Sequence, residues 1–338
     1  MLRVPYEELA DTLRRVLVQE GFTESRAALC ARLFAETDLD GVYSHGLNRF
    51  PRFIQMVRQG IVDPDAEPER VAAFGAVERW DGHGGPGNLN AFRCMEQAVA
   101  LAHAQGVGCV ALRNTNHWMR GGTYGWQAAE AGAVGICWTN TMPNLPPWGA
   151  REASIGNNPL ILAVPRSAGH VVLDVAMSQF SYGALASYRS RGEQLPVPGG
   201  FDREGRLTQD PEAIEASGRP LPIGYWKGSG LSMMLDVIAA LLSAGNATHE
   251  IAPDPQRETG LSQVFIAFDL YRLLDRSEAD RMTDEIVDSV CSALPVEDGL
   301  PVRYPGAGTL QKRAENLRLG IPVDPNVWEE VNAMSPRP

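Results

Sequence analysis

The sequence predicts an α/β protein in which helices from both ends of the chain pack beside a central α/β domain. Up to residue 60, the apolar residues recur at helical spacing. From about residue 70, short β-like runs alternate with helical stretches, and residues 308–334 are helical again. We therefore expect a helical domain built from residues 1–70 and 275–338, and an α/β domain over residues 71–274.

The helices in the first sixty residues are predicted from their apolar faces and from the glycines that end them. One predicted helix presents Leu9, Leu13 and Leu17 and stops at Gly21, a second covers residues 27–34, and a third runs over residues 50–57 with Pro51 in its first turn. The other predicted strands and helices are short runs along the middle of the chain. The strands are residues 71–74, 77–80, 107–112, 134–139, 160–164 and 171–175, and the helices are residues 89–105, 122–131, 231–243 and 277–294. Residues 195–221, rich in Gly and Pro, predict a long excursion that a ligand or a partner subunit orders in part.

Composition excludes several classes of function. The net charge of −11 repels nucleic acid and anionic lipid, so we expect neither as a partner. No apolar run approaches ~20 residues, and the first residues lack the apolar core of a signal peptide. The five cysteines are odd in number and scattered, which indicates buried free thiols. These observations favour a cytoplasmic enzyme or binding protein.

A glycine-rich string at residues 82–87 fits the dinucleotide pattern G-x-G-x-x-G, but we reject it. The following strand leads into Arg113 and Asn114 instead of an acidic residue that would hold a ribose. Pro86 also removes a backbone donor from the loop. The string is interpreted as a strand-to-helix turn, so a nicotinamide cofactor would have to bind by another fold.

Residues 44–49 (SHGLNR) hold the strongest candidates for chemistry. A helix there would place His45 and Arg49 on one face, one turn apart. A 2-oxo acid suits such a pair, because Arg binds a carboxylate with two parallel hydrogen bonds and His protonates the adjacent carbonyl oxygen. The alternative is a histidine packed at a helix start and an arginine on a solvated face.

Further polar strings follow the predicted strands. Residues 114–118, which include His117, and residues 139–141 and 155–159 offer groups for a ligand crevice or form ordinary turns. Asp174 and Ser178 either bind a ligand or cap a helix that starts there. Lys227, in a glycine-rich string before a helix, marks a phosphate site or a flexible linker. No cluster has the spacing of a metal site, so we expect no metal.

Together these strings resemble, in order and over nearly the whole chain, the malate/L-lactate dehydrogenase-like family, which is distinct from the Rossmann-type enzymes. Other strings indicate the branch of that family that reduces 2,3-diketo-L-gulonate. The family strings are YSHG at 43–46, NHWMRGG at 116–122, GNNP at 156–159, DVAMS at 174–178 and KGSGL at 227–231. The branch strings are NRFPRFIQ at 48–55, TYGWQAAE at 123–130, CWTN at 137–140, PPWGA at 146–150 and GYWKGSG at 224–230.

This resemblance implies a non-Rossmann NAD(P)-binding domain over residues 71–274, on a mixed and largely antiparallel sheet. It also implies a homodimer with the active site near the subunit interface. NADH is expected more than NADPH, although the chain departs from the family after Pro305, where many members carry an acidic residue. The positions that match cofactor-binding residues lie in three segments. They are Asp174, Val175, Ala176, Met177 and Ser178, then Trp226 and Lys227, then Gly306, Ala307 and Gly308.

The resemblance further implies reduction of 2,3-diketo-L-gulonate to 3-dehydro-L-gulonate, with hydride to C2 and a proton from His45. Arg49 would hold the C1 carboxylate, with Ser44 and His117 orienting the substrate; Arg52 and Arg120 are the next candidates for that carboxylate. Two alternatives remain at this stage. One is a family reductase of another 2-oxo acid, a cyclic imino acid or ureidoglycolate, and the other is a sugar-acid binding protein without catalysis.

Overall fold

The computed structural model describes residues 2–297 and 299–335, and within them the chain forms helices on both sides of one large sheet. The α-helices are α1 (Tyr6–Gln19), α2 (Glu24–Leu39), α3 (Phe50–Arg58), α4 (Gly87–Gln105), α5 (Gly122–Glu130), α6 (Tyr182–Arg191), α7 (Pro211–Ser217), α8 (Trp226–Ser243), α9 (Leu270–Leu273), α10 (Arg276–Cys291), α11 (Ala307–Leu319) and α12 (Pro325–Met334). The strands are β1 (Leu2–Val4), β2 (Glu69–Phe74), β3 (Val77–Asp81), β4 (Val107–Asn116), β5 (Ala133–Thr139), β6 (Leu160–Val164), β7 (Val171–Val175), β8 (Gly200–Phe201), β9 (Leu207–Thr208), β10 (Thr259–Asp269) and β11 (Ile321–Val323).

The large sheet has seven strands in the order β2-β3-β4-β10-β5-β6-β7. Only β3 and β4 are parallel, and every other neighbouring pair is antiparallel. The expected mixed, largely antiparallel sheet is therefore confirmed. The glycine-rich residues 82–87 connect β3 to α4, as the interpretation of a strand-to-helix turn requires.

Apolar side chains alternate between the two faces of this sheet. Met95 of α4 and Tyr124 of α5 pack with Phe265 of β10 on one face. On the other face, Leu235 of α8 packs with Trp138 of β5. The sheet is therefore covered on both faces, which explains why its central strands carry apolar residues on both sides.

A separate apolar core joins the two ends of the chain. Leu13 of α1, Phe34 of α2 and Phe50 of α3 are fully buried there, together with Ile321 of β11 and Val331 of α12. Strand β1 pairs with β11, which ties the first described residues to the last strand. The helical end region predicted from the sequence thus includes a short strand pair that the predictions missed.

The largest error in the predicted elements is β10, which lies at the centre of the sheet between β4 and β5. The run from Val264 to Phe268 is wholly apolar, because most of the strand is buried on both faces, and it shows no alternation. The preceding Ser262 and Gln263 are polar yet fully buried. Neither part of the strand has the alternating pattern by which strands are usually recognised.

Two further local predictions are corrected. Residues 45–49 do not form an α-helix, since His45 lies in a turn and Arg49 ends a short 3-10 helix, Leu47–Arg49. Asp174 and Ser178 do not cap a helix either. Strand β7 continues through Val175, and α6 begins later at Tyr182, capped by Ser181, whose Oγ accepts the Ala184 N–H at 3.1 Å.

The excursion at residues 195–221 is folded within the single chain. It contains β8, β9 and α7, and its buried Leu195 and Ile214 pack with Leu185 of α6 in a small core of their own. The Leu221 N–H donates to the Gly199 carbonyl at 2.8 Å, which brings the end of the excursion back beside its start.

Candidate active site

A cavity of about 920 Å³ opens between the helical end region and the edge of the sheet. Four segments supply most of its wall: the turn between α2 and α3, the loop after β4, the connection between β5 and β6, and the end of β7. The four residues predicted around the substrate all line it: Ser44, His45, Arg49 and His117. The structure therefore brings His45 and Arg49 together, although by a turn and not by a helix.

His45 is held by its neighbour in the chain. The Ser44 hydroxyl and His45 Nδ1 are hydrogen-bonded at 2.8 Å, which fixes the ring and leaves Nε2 for a ligand. Burial lowers the pKa of His45 to about 4, and the positive charges of Arg49 and Arg120 act in the same direction. The imidazole is therefore neutral at pH 7 in the free protein.

His117 lies beside His45, with ring centroids 5.9 Å apart and planes inclined by 23°. Its Nδ1 accepts the Met119 N–H at 3.0 Å, so the neutral ring carries its proton on Nε2. Burial holds the pKa of His117 well below its ordinary value, and the charges of Arg49 and Arg52 lower it further. His117 is thus a neutral hydrogen-bond donor at physiological pH.

Arg49 faces a buried carboxylate across the cavity wall. Its guanidinium lies 3.6 Å from Glu258 Oε2, and the Glu258 side chain is only 6% exposed. The other oxygen, Oε1, accepts the Met142 N–H at 3.2 Å. Burial raises the pKa of Glu258 even though the nearby Arg49 favours the charged form. The sequence predictions missed Glu258; it belongs to a polar loop before β10, the strand that they also missed.

Arg120 is held more tightly. It is buried and forms an ion pair with Asp40 at the end of α2, and Arg313 of α11 binds the other Asp40 oxygen at 2.5 Å. Its Nε is buried and has no hydrogen-bond partner among the described residues. Asp174, also in the cavity wall, accepts the Gly122 N–H at 2.7 Å, and burial raises the pKa of its carboxyl.

The positions predicted to bind cofactor are divided between the cavity and its surroundings. Asp174, Ala176 and Gly306 line the cavity. The others lie outside its lining in the single chain: Val175, Met177, Ser178, Trp226, Lys227, Ala307 and Gly308. Met177 is buried in the sheet core, whereas Trp226 and Lys227 are exposed at the start of α8.

The amides at the ends of β5 and before β6 serve mostly to hold loops. Asn158 is fully buried; its Oδ1 accepts the Thr141 N–H at 3.0 Å and its amide donates to the Ser232 carbonyl at 2.9 Å. Asn157, in contrast, lines the cavity beside Asn144, whose amide donates to the Asn157 Oδ1 at 3.0 Å. Of these amides, only Asn144 and Asn157 are placed to meet a ligand.

Comparison with known proteins decides the family. The matching family model, malate/L-lactate dehydrogenase, covers residues 4–332. The chain belongs to the malate/L-lactate dehydrogenase family. It is an oxidoreductase, and the resemblance predicted from the sequence strings is confirmed.

The relatives extend over nearly the whole chain. A 2,3-diketo-L-gulonate reductase from Escherichia coli strain K12 is 49% identical over 333 residues, which are 98% of this chain and 100% of the relative. The sulfolactate dehydrogenase from Methanocaldococcus jannaschii is 27% identical with a TM-score of 0.91, over 98% of this chain and 96% of that one. The Δ1-piperideine-2-carboxylate reductase from Pseudomonas syringae is 30% identical with a TM-score of 0.87, over 99% of this chain and 100% of that one.

A dehydrogenase of this family implies a nicotinamide cofactor, and the cavity has features that fit one. Its volume lies at the upper end of the range for small-molecule sites, about 300–1,000 Å³. The Arg120 Nε, which has no hydrogen-bond partner in the described part of the chain, is a donor for an anionic or carbonyl group. Gly306, in the cavity wall, has φ +100° and leaves the backbone there without a side chain. The site residues and this group are therefore compatible.

Two further findings concern metal binding and membrane spanning. Within the described residues, no group of three or more His, Cys, Asp or Glu side chains is arranged to hold a metal ion. In that same part of the chain, no helix combines the length and the apolar character that crossing a membrane requires.

Proposed function

We propose that this protein reduces 2,3-diketo-L-gulonate to 3-dehydro-L-gulonate with NAD(P)H, and with NADH in preference to NADPH. The observation that carries this proposal is the neutral His45, fixed by Ser44 beside Arg49 in a cavity of about 920 Å³. A relative of that name, 49% identical over nearly the full chain, supports the choice of substrate.

In this proposal, Arg49 binds the substrate's C1 carboxylate. The guanidinium offers two parallel donors that match two carboxylate oxygens. Its present partner, Glu258, is 3.6 Å away and takes no hydrogen bond from it, so these donors are available. His117, with its proton on Nε2, donates to an oxygen of the bound acid, and Ser44 keeps the neighbouring imidazole in place.

His45 supplies the proton. Arg49 and Arg120 hold its pKa down in the free protein, and a bound carboxylate offsets part of their charge. Binding of the acid therefore raises the pKa of His45 toward the working pH, where a general acid is most effective. The protonated Nε2 then gives its proton to the C2 oxygen, while Nδ1 stays hydrogen-bonded to Ser44. The bound nicotinamide supplies the hydride for C2.

For the cofactor we propose the segments 174–178 and 306–308 together with Trp226 and Lys227. Lys227 lies in the first turn of α8, where backbone N–H groups and the helix dipole favour a phosphate. Lys227→Ala should raise the Kd for NADH several-fold, measured by NADH fluorescence, and leave kcat at saturating NADH less affected. Lys312→Ala, which removes a partly exposed lysine paired with Glu315, is the control. Equal NADH affinities for Lys227→Ala and the wild type would remove Lys227 from the site.

We also propose that the protein works as a homodimer, in which the exposed apolar face of α8 is covered by a second copy. Trp226, Met233 and Leu241 are 66%, 58% and 71% exposed along this helix. Apolar patches of this kind on a folded surface are typical of interaction sites. Light scattering should give about twice the 36.7 kDa chain mass. Leu241→Glu should shift this value toward the monomer, and a fully active monomer would contradict the proposal.

Oxidation of NADH or NADPH on addition of a panel of 2-oxo acids tests the main proposal. We expect the highest kcat/KM with 2,3-diketo-L-gulonate and NADH. A second candidate function is favoured by the Δ1-piperideine-2-carboxylate reductase structure, whose named substrate also carries a carboxylate beside the reduced carbon. The panel therefore includes cyclic imino acids and ureidoglycolate. Binding of sugar acids without any turnover would favour a binding protein instead.

For the compartment, we propose the cytoplasm, because the five cysteines are all free thiols.

A further inference from the structure

Glu258 is a carboxylate in an unexpected place, because it faces the same cavity as the arginine that is proposed to hold an anionic substrate. A second negative charge near a bound carboxylate raises the free energy of the complex. Such a residue weakens substrate binding unless the substrate itself brings donors that offset the repulsion.

The donors around Glu258 are few. An ionised carboxylate has about four lone-pair sites. Among the described residues, Glu258 accepts one hydrogen bond, from the Met142 N–H, and faces Arg49 without hydrogen-bonding it. With a side chain only 6% exposed, it also receives little from bulk water. Burial accordingly raises the pKa of this carboxyl, which is the behaviour of a carboxylate with too few donors.

We propose that Glu258 is a specificity-determining residue that accepts hydrogen bonds from substrate hydroxyl groups, and so selects hydroxylated 2-oxo acids over unhydroxylated ones. This inference rests on the proposed function. A polyhydroxylated acid supplies the missing donors to Glu258 while its carboxylate takes Arg49. An acid without hydroxyls leaves Glu258 unsatisfied and adds a like charge beside it, which is how a buried polar group rejects an analogue that cannot pair with it.

The test is the ratio of two kcat/KM values, one for 2,3-diketo-L-gulonate and one for 2-oxohexanoate, an unhydroxylated acid of the same chain length. Glu258→Gln keeps the size and the acceptor for the Met142 N–H but removes the charge. It should lower this ratio about 10- to 100-fold, as expected for loss of hydrogen bonds to a charged group. Glu250→Gln is the matched control, because Glu250 accepts the Ala247 N–H at 2.9 Å outside the cavity; its ratio should stay within about twofold of the wild type.

The same ratio distinguishes recognition of substrate hydroxyls by Glu258 from a role in which Glu258 only positions Arg49. If Glu258 only oriented Arg49, both acids would lose equally, because both carry the carboxylate, and an unchanged ratio overturns the inference. NADH affinity, measured by fluorescence, checks that the variants are folded. If Glu258→Gln does not fold, Glu258→Asp carries the test. Its shortened carboxylate should lower the ratio at least about threefold, and an unchanged ratio again overturns the inference. Lack of wild-type turnover with every 2-oxo acid would instead remove the proposed function itself.

Discussion

Arg49 and Arg120 both face the cavity, but their neighbours hold them in different ways. Arg120 is buried in an ion pair with Asp40, which Arg313 also binds. Arg49 lies 3.6 Å from Glu258 and donates no hydrogen bond to it. An arginine held by a buried counter-charge is part of the scaffold even where its Nε stays open to a ligand, whereas one that is loosely paired can exchange its partner for a ligand. Both charges nevertheless act on His45, whose pKa they help to lower.

The largest effect on activity is expected at His45, whose pKa is lowered by both arginines. His45→Asn keeps a similar size but cannot supply a proton near neutral pH. The value of kcat should fall about 10²- to 10⁴-fold, with the NADH Kd nearly unchanged. His103→Asn is the control, since His103 lies on α4 and pairs with Asp269 away from the cavity. A variant that keeps most of its kcat between pH 6 and 8 would show that another group is the proton donor.

The scaffold role of Arg120 is tested through Asp40. Asp40→Asn leaves the buried Arg120 without its counter-charge, which typically costs about 3–5 kcal/mol of the free energy of unfolding. Urea denaturation should show this loss. Glu315→Gln removes a partly exposed partner of Arg3 and Lys312 and should cost less than about 1 kcal/mol. Equal midpoints for Asp40→Asn and the wild type would mean that Arg120 is no more fixed than Arg49.

The ligand role of Arg49 is tested by a change that keeps its charge. Arg49→Lys loses the two parallel donors and recovers only part of the roughly 2–5 kcal/mol of a buried charged contact. We expect KM for the oxo acid to rise and kcat to fall, each by about tenfold, at constant NADH affinity. Arg58→Lys, at the exposed end of α3, is the control. If Arg49→Lys keeps the wild-type KM and kcat, the carboxylate is held elsewhere, and Arg52 and Arg120 are the next candidates.

The smallest effect concerns pH. Reduction needs a protonated His45, so the rate falls as pH rises through its pKa. The profile of kcat/KM reports the free enzyme, where burial and the arginines hold the pKa of His45 at about 4. The profile of kcat reports the complex, in which the bound carboxylate raises that pKa. The descending limb of kcat should therefore lie at least about one unit higher in pH than that of kcat/KM. Coincident limbs would show that the acid does not offset the arginine charges.

The sequence predicted the cavity residues better than their local structure. Ser44, His45, Arg49 and His117 all line the cavity, because polar side chains next to buried elements commonly gather in a crevice. The expected helix from His45 to Arg49 was wrong, since a spacing of four residues is met by a turn as well as by a helix.

The central strand and Glu258 could not be predicted in the same way. The apolar run of β10 does not distinguish a buried strand from a buried helix, because both lack a polar face. Glu258 carries no signal of its own in a loop that also contains Asp254 and Arg257. Its proposed role depends on Arg49, which lies more than two hundred residues earlier in the chain and approaches Glu258 only in the folded structure.

The position of β10 has a consequence for how the chain is made. Strands β4 and β5 are each completed early in synthesis, but the strand that joins them lies about 120 residues beyond the end of β5. At about 5–20 residues per second on the ribosome, the inner edges of β4 and β5 stay unpaired for roughly 6 to 24 seconds. Open strand edges of this kind readily pair with other chains. We therefore expect the half-built sheet to be prone to misassociation until residue 269 has left the exit tunnel.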